Sequence, residues 1–167
     1  KSLQISAYWS LKQEIIKNVY KTRPLSTLKL WGRALSSLKD ERDYSFVWSE
    51  LTTKDFLETG AVETESTGLI DELLKTASGV DFALLLTEKN GDVHGSLRSI
   101  NKSKDVSSIA KLFGGGGHVV AAAFQIEKTT LAESTNNIIQ RIKDYQRNQQ
   151  GIMNNKSEDL ANPIPMA

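Results

Sequence analysis

The stretch that most constrains this chain is Gly114-Gly115-Gly116-Gly117-His118, followed by Val119-Val120-Ala121-Ala122-Ala123-Phe124. Glycine loses more conformational entropy on folding than any other residue, so a run of four is costly inside a domain. Such a run implies a backbone that takes left-handed angles or lets something approach closely. Consecutive exposed N–H groups in a glycine loop can form a concave nest for anions. His118 adds a further donor, cationic when protonated. One reading is a phosphate-binding or substrate-clamping loop; the other is a flexible linker or a glycine-rich helix stop. The small apolar residues that follow favour the first, because they read as a buried strand packed close to the loop.

The chain has 167 residues, enough for one domain with a real core. Its formal charge of +1 argues against a broad basic surface for duplex nucleic acid, though not against one small cationic pocket. Cysteine is absent, which removes disulfides and thiolate metal sites and fits a cytoplasmic location. No apolar run approaches the ~20 residues of a membrane-spanning helix, and no signal peptide is visible. The sequence opens at Lys1, already within a helical pattern, and reads as a piece of a longer protein.

Residues 5–21 carry a helical stripe of Ile5, Tyr8, Leu11, Ile15 and Val19. Pro24 ends it. A second helix is predicted over 27–38, with Leu28, Trp31, Leu35 and Leu38 on one face. Trp9 and Trp31, at helical spacing among aliphatics, read as packing residues. Residues 39–43 form a charged turn, and 44–50 alternate as a strand. Thr52-x-x-Asp55 starts a short helix that Gly60 stops. Residues 61–67, with Glu63 and Glu65, read as a solvated loop before a helix carrying Leu69, Ile70, Leu73 and Leu74. Residues 80–88 form a central strand, Asn90-Gly91 a hairpin turn, and 92–100 the return strand. Asp105 caps a helix over 106–113, and 119–127 form the next strand. Thr130-x-x-Glu133 is a capping box for the last helix, which carries Leu131, Ile138, Ile142 and Tyr145. From residue 148 the composition is polar, with Pro163 and Pro165, and reads as a flexible tail. The sum is an α/β fold: a mixed sheet of about four strands with a hairpin, flanked by helices.

Side chains alternate along the return strand. His94, Ser96 and Arg98 therefore share one face, opposite Val93, Gly95 and Leu97. Arginine offers a planar fork of donors suited to phosphate oxygens, and serine can add another. On residue types alone this is also what an ordinary solvent-facing strand looks like. The glycine run is not a P-loop, since no lysine and serine follow it and no helix opens there, and its contiguous glycines lack the Rossmann spacing. It lies beyond a helix C-terminus, where the dipole disfavours an anion.

The ordered set Ile109-Ala110-Lys111-Leu112-Phe113, the glycines, His118 and the alanines, with Gly95-Ser96-Leu97-Arg98-Ser99 upstream, resembles the C-terminal DHH-associated domain of DHH-family phosphoesterases. The resemblance is greatest to the bifunctional oligoribonuclease and pAp phosphatase type (nanoRNases) and to cyclic-dinucleotide phosphodiesterases. It covers roughly residues 25–145. It implies a substrate-binding domain over 25–147, a helical linker over 1–24 from an N-terminal catalytic domain, and the tail over 148–167. It also implies short RNA, pAp or a cyclic dinucleotide as substrate, and two divalent metals, manganese being expected, held by the N-terminal domain. Carried over by residue, Arg98 would pair with a substrate phosphate. The backbone of Gly114, Gly115, Gly116 and Gly117 would approach the same group. His118 would donate to phosphate or stack near the base, and Ser96 and Ser99 would support Arg98. The Asp-His-His motif does not occur here, so no catalytic or metal-ligating residue is expected in the chain, which would be inactive alone. Ala123 stands where the family has a glycine, and Val119 and Val120 set apolar side chains beside His118. The partners to expect are the catalytic domain in cis, a nucleotide or short RNA and a possible second copy, with no membrane. The alternative is a non-catalytic module that binds a nucleotide or single-stranded nucleic acid.

Overall fold

The computed structural model describes residues 23–72 and 77–161. Its centre is a six-stranded mixed sheet in the order β1-β2-β3-β4-β6-β5. The strands are β1 (Lys39–Glu41), β2 (Phe46–Leu51), β3 (Phe82–Lys89), β4 (Asp92–Ser99), β5 (Gly116–His118) and β6 (Ala121–Ile126). The helices are α1 (Leu25–Ser36), α2 (Thr53–Thr59), α3 (Thr67–Glu72), α4 (Val106–Lys111) and α5 (Leu131–Ala161). The pair β2–β3 is parallel, with Phe46 opposite Phe82. A parallel pair needs a crossover, and α2 and α3 supply it. The other neighbouring pairs are antiparallel. Asn90 (φ 52°) and Gly91 (φ 81°) both take left-handed angles in the tight turn between β3 and β4, as a two-residue hairpin loop requires.

Because strands alternate their side chains, the sheet buries a different core on each face. On one face Phe46, Phe82, Leu84 and Leu97 pack under α4 and α5 with Ile109, Ile138 and Ile142. The rings of Phe46 and Phe82 stack with centroids 5.1 Å apart. On the other face Val47, Leu51, Ala83 and Leu85 pack under α1 to α3 with Leu30, Trp31, Phe56 and Leu69. This second core covers β2 and β3. Its face continues over β4, β6 and β5 through Ser96, Arg98, Ala123 and His118, which are half-buried or exposed.

Several sequence expectations are corrected. The charged turn at 39–43 contains β1, paired with β2 at Lys39–Trp48. Its side chains are mostly exposed, so it lacks the apolar alternation that marks a strand, as befits a charged sheet edge. The glycine run supplies the other unexpected strand, β5, which brings about four strands to six. Residues 119 and 120, read as strand, are the turn into β6. In α1 the buried face is Thr27, Leu30, Trp31 and Ala34, whereas Leu28 and Leu35, and Leu38 just past the helix end, are exposed. Glu65 fixes that rotation: its carboxylate accepts from the Thr27 hydroxyl at 2.6 Å and its carbonyl from the Trp31 indole N–H at 3.1 Å. Glu65 is thus a structural acid. The hydrogen bonds, led by that from Thr27, hold its carboxyl below the usual range. The polar stretch after residue 147 continues α5 as far as Ala161. The helix expected over 5–21, Leu73 and Leu74, and Pro163 and Pro165 lie outside the described residues.

Candidate functional site

The open part of the second sheet face is a small grid set by strand register. Arg98 on β4 and His118 on β5 both sit opposite Ala121 on β6. Ser96 and Gly116 both sit opposite Ala123. His94 sits opposite Gln125 at the far end. Directly paired residues point to the same face, so Arg98, His118 and Ser96 project from one surface over a floor of Gly116, Ala121 and Ala123. Two inter-strand spacings separate Arg98 from His118, or about 9–10 Å between backbones. His118 and Ala123 are exposed; Ser96, Arg98, Gly116 and Ala121 are half-buried.

Arg98 stands where this open surface meets the second core, and it is held there. Its Nε donates to Asp71 Oδ1 at 2.7 Å and its Nη2 to Asp71 Oδ2 at 3.3 Å. Its Nη1 donates to the Leu97 carbonyl at 3.0 Å. Asp71 lies on α3, next to the buried Leu69 and Ile70 that seat that helix on the sheet. Reading the sequence did not single out Asp71. The only signal was an acid on a helix of the right polarity pattern, and nothing local connects it with a strand 27 residues later.

The glycines divide into two structural roles. Gly114 (φ 75°) takes the left-handed angle just after α4, and its N–H donates to the Lys111 carbonyl at 3.2 Å. The Gly115 N–H donates to the Ala110 carbonyl at 3.0 Å. Both amides therefore close the helix end, and the nest expected from the run is not formed by these two. Gly115 also lies against β6: a Cβ there would stand 2.2 Å from the Ala123 carbonyl oxygen and 2.6 Å from Phe124 Cβ. Gly117 (φ 143°) is similarly crowded by Ala121 and Ala122. Gly116 is different, since a Cβ there would meet nothing within 4 Å.

The surroundings fix this hairpin. The Val119 carbonyl accepts from the Val106 N–H at 2.9 Å and the Val120 carbonyl from the Ser99 N–H at 3.0 Å. These bonds tie the β5–β6 turn to the start of α4 and the end of β4. Asp105 caps α4 by accepting from the Ser107 N–H at 2.8 Å and from the Ser107 and Ser108 hydroxyls. Those bonds, the Ser107 hydroxyl foremost, lower its carboxyl to about 2. Beneath the floor, Gly95 leaves room for the Phe124 ring, which a Cβ would meet at 2.1 Å. Phe124 stacks on Phe113 at 4.4 Å. Ser99 falls on the other pleat from Arg98, opposite Phe82, and its hydroxyl donates to the Asn101 carbonyl. Ser96 thus shares the Arg98 face and Ser99 does not. Among the described residues, no group of three or more His, Asp or Glu side chains could hold a metal ion. No helix among them is long and apolar enough to cross a membrane.

Residues 44–148, which include all of this grid, match the DHHA1 domain family. The chain belongs to that family. Among solved structures this DHHA1-containing chain is similar to an exopolyphosphatase-related protein from Bacteroides fragilis, with 28% identity and a TM-score of 0.71. The match covers 81% of this chain and 39% of that one. A pGpG-specific phosphodiesterase from Vibrio cholerae matches over 73% of this chain and 39% of its own, at 11% identity and a TM-score of 0.46. The C-Ala domain of Aquifex aeolicus alanyl-tRNA synthetase matches over 59% of this chain and 89% of its own, at 14% identity and a TM-score of 0.45. No curated protein matches the chain. The chain therefore matches well under half the length of the Bacteroides protein it resembles.

Proposed function

We propose that this chain is the substrate-binding domain of a DHH-family phosphoesterase of the nanoRNase type, acting on short oligoribonucleotides, pAp or cyclic dinucleotides. The observation that carries the reading is that strand register sets Arg98, Ser96 and His118 on one sheet face, half-buried or exposed, over a floor of glycine and alanine. An arginine and a histidine whose backbones lie about 9–10 Å apart can engage two groups of one nucleotide, such as a phosphate and the next phosphate or the base. The small floor lets a sugar or base lie flat against the backbone. Similarity to an exopolyphosphatase-related protein supports a phosphate-containing substrate.

In this proposal the bond is cut by a DHH domain in cis, placed across the cleft from β4, β6 and β5, and that domain holds the divalent metals. The described residues supply no metal-ligand cluster for them. Their part is to bind and orient: Arg98 takes a phosphate oxygen pair, Ser96 donates beside it, and His118 donates from the β5 edge. The test is a two-dimensional NMR titration of the chain with pAp and with a short RNA. Shifts are expected at Ser96, Arg98, Gly116 and His118. Arg98→Ala should weaken binding about tenfold or more, the scale of a lost charge-assisted hydrogen bond, and His118→Ala should weaken it too. If neither substitution changes the affinity, the face is not the binding site.

A further inference from the structure

We infer that Asp71 is the positioning residue for Arg98, fixing which edge of the guanidinium meets the ligand. The inference rests on the phosphate-binding reading above and adds a residue and an orientation to it. A guanidinium has two bidentate edges: a side edge formed by Nε and one Nη, and an end formed by the two Nη groups. Asp71 occupies the side edge with both carboxylate oxygens, at 2.7 and 3.3 Å. The Leu97 carbonyl takes one hydrogen of Nη1. Of five N–H donors, these three bonds leave two, one on each Nη, without a partner among the described residues. The proposal places the free Nη1 hydrogen beside that of Nη2, at the end of the fork, where the pair suits two oxygens of one phosphate.

The arrangement has two chemical effects. It removes rotamer freedom from a long side chain before the ligand arrives, so less entropy is lost on binding. It also sets a carboxylate beside the cation, so the ligand meets a directed pair of donors with most of their charge already balanced. A phosphate with two free oxygens in line with the fork is favoured over an anion that approaches from the side. Asp71 touches no ligand in this scheme; it acts through Arg98.

The test uses the 167-residue chain with pAp as the probe, in four forms: wild type, Asp71→Asn, Arg98→Ala, and the two substitutions combined. Asp71→Glu is the fifth, because it keeps the charge while moving it by one methylene. Thermal melts confirm that each variant folds. Asp71→Asn is expected to weaken pAp binding about five- to tenfold in the presence of Arg98 and to change nothing in its absence. Asp71→Glu should fall between. In the ligand-free chain the Arg98 Nε–H signal should be sharp and slow to exchange in wild type and lost in Asp71→Asn, which ties any loss of affinity to release of the guanidinium. Binding by Asp71→Asn as tight as wild type overturns the inference, as does an equal loss in the Arg98→Ala background. If Arg98→Ala alone has no effect, or wild type does not bind pAp, the reading of the face fails instead, and the two failures are distinguishable.

Discussion

Gly115 and Gly116 are neighbours with opposite constraints. At Gly115 a methyl group would collide with the Ala123 carbonyl oxygen and the Phe124 backbone, neither of which can move without opening β6. At Gly116 φ is ordinary and the space where a Cβ would go is empty. Gly115→Ala should therefore destabilise the domain by about 3 kcal/mol or more, the upper range of overpacking. Gly116→Ala should leave the melting temperature nearly unchanged, since the added methyl meets nothing within 4 Å and surface substitutions away from packing usually fall within ±0.5 kcal/mol. Gly116 shares its face with Ser96 and His118, so a methyl there would rise from the proposed binding floor and weaken pAp affinity instead. Chemical denaturation and titration of both variants check the contrast, and equal stability losses would show that the fold itself needs both glycines. The sequence shows that the run is unusual. It does not show which glycine serves packing, because the atoms that crowd Gly115 come from a strand whose register is set elsewhere.

Elements with a local cause were legible in the residues. Thr52 and Asp55 exchange hydrogen bonds as a capping box, and Gly60 (φ 69°) ends that helix. Thr130 and Glu133 do the same at the start of α5, and Asn90-Gly91 makes the hairpin turn. Elements defined by a distant partner were not. β1 and β5 are three-residue edges that exist because β2 and β6 offer them a ladder. The rotation of α1 depends on Glu65, and its exposed leucines mimic a buried stripe. The same logic makes the Asp105 cap testable. Its carboxyl titrates near 2 in the folded chain, against about 3.9 when unfolded. A lowered folded-state value means that the charged cap stabilises the domain above about pH 4 and that this contribution is lost as pH falls towards 2. Asp105→Asn keeps a capping oxygen but not the charge. The melting temperatures of wild type and variant should differ at pH 5 and converge by pH 2; a gap that stays constant would mean that the charge is not what stabilises this cap.

At the scale of the whole molecule, one sheet serves two cores. Phe46, Phe82 and Leu84 alternate along β2 and β3 with Val47, Ala83 and Leu85, so neighbouring residues of the same strands belong to opposite layers. Losing either layer would expose the other's strands, and neither has a sheet of its own. Leu30 in α1 and Ile138 in α5 are both fully buried, on opposite sides. Leu30→Ala and Ile138→Ala should each cost about 2–5 kcal/mol. Both should shift a single urea transition to lower midpoint with its slope unchanged, because the surface exposed on unfolding stays the same. A second transition in Leu30→Ala alone would show that α1 to α3 open separately from the rest. Cooperative behaviour bears directly on the site. Arg98 leaves the sheet on the Leu30 side and is tethered by α3, while His118 is carried by a hairpin that Phe124 anchors in the Ile138 layer. The two side chains keep their spacing only while both layers hold the same sheet, so in a single cooperative transition the proposed binding face is lost together with both cores.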